Sequence, residues 1–249
     1  DPNGAPLWAD QVAVFDTGTI PMGLYFSLQS DSSGGALLAW TSAVGFELSC
    51  QVQHQSPGGI ELFPHNGLNA FPGSENWHVF PTLNHDPATG ETWLFVRSQN
   101  IGQSNWGLSG QKLALDGSYL WGVSGKELLP VDGTWKSRPR SVLIPDLGAM
   151  VFQLTGSDFS PDEDILIGAL VNADGDFVWP GETVIMSSTL SDKRKLWAIT
   201  SNDGVAKAIW EDGRNDMGDI FGQNLNPDGT LGQPSSPVVD LPASSVITM

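Results

Sequence analysis

Two clusters of carboxylates are the residues best suited to chemistry. Asp158, Asp162, Glu163 and Asp164 fall within seven positions, and Glu211, Asp212, Asp216 and Asp219 within nine. Two carboxyl groups about 5 to 10 Å apart can divide glycoside hydrolysis between them, one protonating the leaving group and the other serving as nucleophile or base. The plainer reading is that an acidic chain collects Asp in its loops as a turn former, and that Asp212 with Arg214 is a structural pair. Aromatic residues offer a second chemistry. Trp77 and Trp135 each stand 13 residues before a turn glycine, and Trp106 ends a neighbouring loop. Their indoles suit stacking against the C–H faces of sugar rings, or the capping of strand ends. The candidate ligand-binding set is therefore Trp77, Trp106, Trp135, Arg97, Asp158, Asp212 and Arg214; no catalytic residue is assigned.

Other chemistries find less. The acidic loops carry hard oxygen ligands that suit calcium, yet D-G-R-N-D-M-G-D lacks the spacing of a helix-loop-helix calcium site, and its arginine opposes a cation. No cofactor is expected beyond that calcium option. The four histidines, at 54, 65, 78 and 85, lack zinc-site spacing. No phosphate-binding glycine loop, H-E-x-x-H or G-x-S-x-G occurs. Eleven basic against 28 acidic residues give a net charge of −17, which repels nucleic acid and anionic membranes. No apolar run approaches the length of a membrane span, and Cys50, the single cysteine, cannot form an internal disulfide.

These residues hang on a repeat. Gly35, Gly90, Gly148 and Gly204 recur at steps of 55, 58 and 56, and Gly4, Gly59, Gly117, Gly175 and Gly229 recur at 55, 58, 58 and 54. Two turns per period held in phase mean one supersecondary unit repeated about four times. Between the turns lie runs rich in β-branched and aromatic residues, such as KLWAIT, GETWLFV and EDILIGALV, which read as antiparallel strands a, b and c. A tight turn follows (LDG, ADG, PDG), and strand d is expected to carry an aromatic four residues past its glycine: Trp8, Phe63, Trp121 and Trp179. A ring repeated in each unit is best read as a wedge between neighbouring units.

The fold expected is an all-β propeller of four blades, each of four antiparallel strands, with five blades or a segment of a larger ring as the alternative. One domain spans 1–240, with blades at about 21–76, 77–134, 135–192 and 193–240. Residues 1–20 supply a closing strand to the last blade, and 241–249 form a tail. The a–b and c–d turns lie on one face; the longer, dissimilar b–c loops and the d–a connections share the other, where a ligand is expected.

The last unit carries a family likeness. Residues 206 to 229 resemble the W-x-D-x-R, D-I-x-x-Q, D-G repeat of large secreted bacterial proteins, through Trp210, Asp212, Arg214, Asp219, Ile220, Gln223, Asp228 and Gly229. Earlier units keep fragments of it, with Gln51 and Gln111 taken as the counterparts of Gln223. The resemblance implies export, modularity and a propeller, and brings no catalytic residues. Together these readings give an extracellular or cell-surface, non-catalytic binding or structural module, with glycan binding or cell-surface adhesion as its expected role and a glycan or protein ligand on its b–c face. A carbohydrate hydrolase using the loop carboxylates is the first alternative, and a unit of an extracellular assembly joined through terminal strands is the second. Sialidases are disfavoured, because no carboxylate-clamping set can be picked among the five arginines, Arg97, Arg138, Arg140, Arg194 and Arg214.

Overall fold

A computed structural model describes residues 11–157, 160–201, 204–216, 218–233 and 236–237, and the chain is a four-bladed β-propeller. Blade 1 comprises β1 (Ser27–Ser30), β2 (Ala36–Val44), β3 (Glu47–Gln55) and the short β4 (Leu68–Asn69). Blade 2 comprises β5 (Trp77–Asp86), β6 (Glu91–Gln99), β7 (Trp106–Leu113) and β8 (Lys126–Asp132). Blade 3 places β10 (Arg140–Ile144), β11 (Gly148–Ser157), β12 (Ser160–Val171) and β13 (Val184–Ser191) in order, with β9 (Trp135–Lys136) pairing the far end of β11. Blade 4 shows β14 (Lys193–Thr200), β15 (Ala206–Asp212) and β16 (Asp219–Leu225), followed by a small ladder of β17 (Gly232–Gln233) and β18 (Ser236–Pro237). Among the described residues no helix is long and apolar enough to cross a membrane.

Strand alternation builds the cores between blades. In β15, Ala206, Ala208 and Trp210 face blade 3 and are buried, whereas Lys207 and Ile209 point away. One apolar cluster joins blades 1 and 2 through Leu37, Val52, Leu83 and Leu94. A second joins blades 2 and 3 through Phe95, Leu108, Trp121 and Val151, and a third joins blades 3 and 4 through Phe152, Leu166, Trp210 and Leu225. The far face of blade 4 leaves Trp197, Ile199 and Ile209 exposed.

The fourth strand differs from expectation. After each c–d turn the chain makes a single bridge back to strand c (Gln55 to Glu61, Leu113 to Tyr119, Val171 to Phe177, Leu225 to Leu231) and then swings away. In the first three blades strand d begins nine residues after the turn glycine, at Leu68, Lys126 and Val184, so the aromatic precedes the strand instead of belonging to it. A buried glutamine in strand c holds this detour. The Gln53 amide oxygen accepts from the backbone N–H groups of Phe63 (3.0 Å) and His54 (2.9 Å), and its Nε2 donates to the Pro64 carbonyl at 3.0 Å. Gln111 repeats the arrangement with Lys112, Trp121 and the Gly122 carbonyl. The counterpart of Gln111 in blade 1 is thus Gln53, and Gln51 lies two positions off.

The aromatics do act as wedges. Trp121 lies against Gly175 of blade 3 and donates its Nε1–H to the Ala173 carbonyl at 3.0 Å; Trp179 lies against Gly229 of blade 4 and donates to the Pro227 carbonyl at 3.0 Å. Phe63 packs the same way on Gly117.

Of residues 1–20, expected to complete the last blade, the described part sits on blade 1. Thr19 pairs with Ala43 in β2, Phe15 tilts onto Trp40 with ring centroids 5.6 Å apart, and the Asp16 N–H donates to Asn66 at 2.8 Å. This is the lead-in position that β9 holds on β11. Trp8, and the tail 241–249, lie outside the described residues.

Candidate functional site

The first strands of the four blades converge on a central pocket of about 820 Å³, within the usual range of small-molecule sites. Each blade contributes through the same phase of the repeat: Tyr25, Phe80, Arg138 and Arg194 all stand ten residues before an a–b turn glycine, and all line the cavity. Local irregularity aims them. The β5–β6 register shifts between Val79 and Thr82, and the β14–β15 register shifts between Arg194 and Trp197. At these bulges Phe80 (φ 57°) and Lys195 (φ 50°) adopt left-handed backbone, which is costly for a residue with a side chain and turns that side chain out of strand alternation.

The pocket's charge is opposite to that of the molecule. Arg97, Arg138, Arg140, Lys193, Arg194 and Lys195 line it, six of the eleven basic residues in the chain, and no Asp or Glu lines it among the described residues. Three of these cations already have partners. Lys195 pairs with Glu211 at 2.6 Å, Arg194 with Asp192, and the Lys193 ammonium turns away from the cavity into a buried network with Asp212. Arg138 and Arg140 make no ion pair among the described residues; aromatic rings and a carbonyl hold them instead. The Arg138 guanidinium lies 5.0 Å from the Phe80 centroid and 5.7 Å from that of Tyr25, and Arg140 lies 4.4 Å from that of Trp197. The Arg140 Nε–H also donates to the Leu196 carbonyl at 2.8 Å. Arg97 stacks on Phe80 at 4.7 Å and donates to Gln99 at 2.8 Å. Burial, and then the neighbouring charge of Arg138, lower the Arg140 pKa from its ordinary value, as expected where positive charge is crowded.

Of the residues singled out in the sequence, Arg97 and Trp135 reach the pocket. Trp77 and Trp106 stand either side of Gln99 at the b–c end of blade 2, and Trp135 stands opposite Gly156 at the b–c end of blade 3. Trp106 is buried, with its carbonyl accepting from Lys136 at 2.9 Å, and Trp77 is half-buried; neither lines the cavity. Asp158 lies outside the described residues.

Asp212 and Arg214 turn inward. The Asp212 carboxylate is inaccessible and accepts from Trp210 Nε1 (2.8 Å), Ser191 Oγ (2.6 Å), the Arg214 N–H (3.0 Å) and the Arg214 guanidinium (2.7 Å). Burial pushes its pKa up, but the donors from Arg214, Ser191 and Trp210 outweigh that and hold it well below the usual carboxylate range. Arg214 also donates to Ser187 Oγ at 2.9 Å and lies over the Phe221 ring. The W-x-D-x-R spacing therefore makes a saturated corner brace between b and c. Next to it, Asp164 is pushed up to about 7, chiefly by burial, while Lys193 donates to its carbonyl oxygen at 2.9 Å. Among the described residues no three His, Cys, Asp or Glu side chains converge as a metal site, and none of the loop carboxylates lines the pocket.

The reason the sequence missed the pocket is one of phase. Trp77 and Trp135 stand thirteen residues before the turn glycine and only Trp135 reaches the lining, whereas the position ten before it lines the pocket in every blade, at K-S-R-P-R and D-K-R-K in blades 3 and 4.

No protein-family model matches the chain, and no curated protein matches its sequence. Solved structures do resemble it. The Penicillium chrysogenum α-L-arabinanase, determined with arabinobiose, superposes with a TM-score of 0.57 at 10% identity, over 92% of this chain and 70% of that one. The α-L-arabinofuranosidase of Fusarium graminearum gives 0.54 at 13% identity, over 82% and 63%. A polysaccharide lyase active on ulvan gives 0.54 at 10%, over 92% and 61%. The chain thus spans less than two thirds of the last two. At these identities the likeness establishes the fold, a β-propeller.

Proposed function

We propose that this propeller is a carbohydrate-active protein whose site is the central pocket. The observation that carries the reading is the convergence of four inner strands on one cavity that presents Tyr25, Trp135 and Trp197, rings of the kind sugars stack on, beside hydrogen-bonding guanidinium groups. The folds it resembles are named as carbohydrate enzymes, and this favours the hydrolase reading over a non-catalytic adhesion module. The described lining supplies guanidinium groups and rings and no carboxyl pair, so recognition without turnover is the second form of the proposal.

Both forms of the proposal meet in one experiment. A panel of neutral and acidic oligosaccharides is titrated calorimetrically, and the same mixtures are examined chromatographically for shorter products. Saturable binding that Trp135→Ala weakens about tenfold, at unchanged melting temperature, is the expected result. Products would make the protein a hydrolase or lyase; binding without products would make it a recognition module. No binding and no turnover across the panel would overturn the carbohydrate reading.

A further inference from the structure

We propose that the central pocket is an anion-recognition site in which Arg138 and Arg140 hold the carboxylate or sulfate of an acidic saccharide. The identity of the ligand as a saccharide rests on the function proposed above; its negative charge rests on the pocket alone. A chain of net charge −17 has few cations to place, and six of its eleven lie around one cavity that no described acid enters. Surface cations in so acidic a chain would be expected to settle beside carboxylates, as Arg194 does beside Asp192 and Lys195 beside Glu211. Arg138 and Arg140 instead stand two residues apart at the start of β10, Arg140 as its first residue, and both line the cavity. Crowding two guanidinium groups costs electrostatic energy, and an incoming anion relieves it.

The rings make the arrangement selective. Guanidinium groups lying over Phe80, Tyr25 and Trp197 are held near their rings before a ligand arrives, which reduces the side-chain freedom lost on binding. A planar fork offers two parallel N–H donors, the geometry that carboxylate and sulfate oxygens accept. The same stacking leaves an apolar wall beside the charge, which suits an acidic group carried on a sugar ring better than a free inorganic ion. The acidic exterior repels anions at long range, so binding depends on these short-range contacts.

The test compares tetragalacturonate, a sulfated galactose tetrasaccharide, uncharged galactotetraose and inorganic sulfate by calorimetry, with thermal melting as the check on folding. One of the two charged tetrasaccharides is expected to bind at least tenfold more tightly than galactotetraose, and to weaken as sodium chloride rises from 0.05 to 0.5 M. Arg138→Gln and Arg140→Gln are each expected to lose about tenfold for the charged ligand. Arg138→Lys, which keeps the charge without the fork, is expected to lose less, and Lys126→Gln, at a cation outside the pocket that pairs with Asp176, is expected to change little. Arg138 is exposed and, among the described residues, its guanidinium contacts the rings of Tyr25 and Phe80, so its variants remain informative even if Arg140→Gln does not fold. Equal affinity for galactotetraose would overturn the anion inference and leave the carbohydrate reading standing. Sulfate binding without saccharide binding would do the reverse, and binding of none of the four would overturn both.

Discussion

Asp212 shows how misleading a residue's type can be without its surroundings. A carboxylate beside an arginine in an acidic loop invites a catalytic or ligand-binding role, yet here five donor contacts close around it, including the Lys193 ammonium at 3.4 Å, and none of its surface is open. Replacing it by Asn would leave Lys193 and Arg214 buried without their counter-charge. Asp212→Asn is therefore expected to destabilise the fold by about 3 to 5 kcal/mol, the range for one partner removed from a buried ion pair. Urea denaturation checks this, and a loss below 1 kcal/mol would show that the brace is dispensable. Arg138 is the converse case: an unremarkable basic residue in the sequence, it becomes distinctive once its neighbours are rings and another guanidinium. Reading the candidate site from residue type alone found Arg97 and Trp135 and passed over Arg138 and Arg140, because the signal lay in what stands opposite them.

At the scale of the element, the glycine periodicity was legible and its meaning was nearly complete. Gly117 and Gly175 have φ of 85° and 82°, as Asp-Gly hairpin chemistry leads one to expect. Packing adds a second constraint: a Cβ on Gly175 would come within 3.0 Å of the Trp121 ring, and one on Gly117 within 3.2 Å of Phe63. The turn of one blade is thus the seat of the wedge from the blade before it. Gly175→Val is expected to cost about 1 to 3 kcal/mol from backbone geometry, and more than Gly90→Val, whose φ is similar at 74° but whose neighbour is the movable Leu115 side chain. Chemical denaturation of the two variants makes the comparison, and equal losses would show that the wedge contact is slack. What the sequence pattern did not disclose was the detour held by Gln53 and Gln111, because a buried amide that clamps backbone has no periodic signature of its own.

For the whole molecule, closure of the ring depends on how blade 4 meets blade 1. Cores fill the other three junctions, while Trp197, Ile199 and Ile209 are exposed on blade 4. Trp8 stands 51 residues before Gly59, close to the 50 that separate Trp179 from Gly229. If Trp8 is the wedge that the repeat spacing proposes, Trp8→Ala is expected to lower stability by about 3 to 5 kcal/mol, the range for truncating a buried tryptophan, and removing residues 235–249 is expected to cost far less. Melting curves and gel filtration of the two variants decide it. A stable monomer from Trp8→Ala together with aggregation of the tail deletion would place closure at the other end of the chain.

The architecture could be read from the chain because it is local. Strand alternation, turn glycines and one aromatic per unit act within a single repeat of 54 to 58 residues, and each repeat states them again. The pocket could not be read in this way. Its walls come from all four blades, chiefly from their first strands, and left-handed backbone at Phe80 and Lys195 turns side chains out of strand alternation there. Whether a cation there is neutralised depends on partners in other strands: Lys193 finds Asp212, whereas among the described residues Arg138 and Arg140 find rings and a carbonyl oxygen. Charge composition gave the molecule a sign, and the convergence of the blades gave its centre the opposite one.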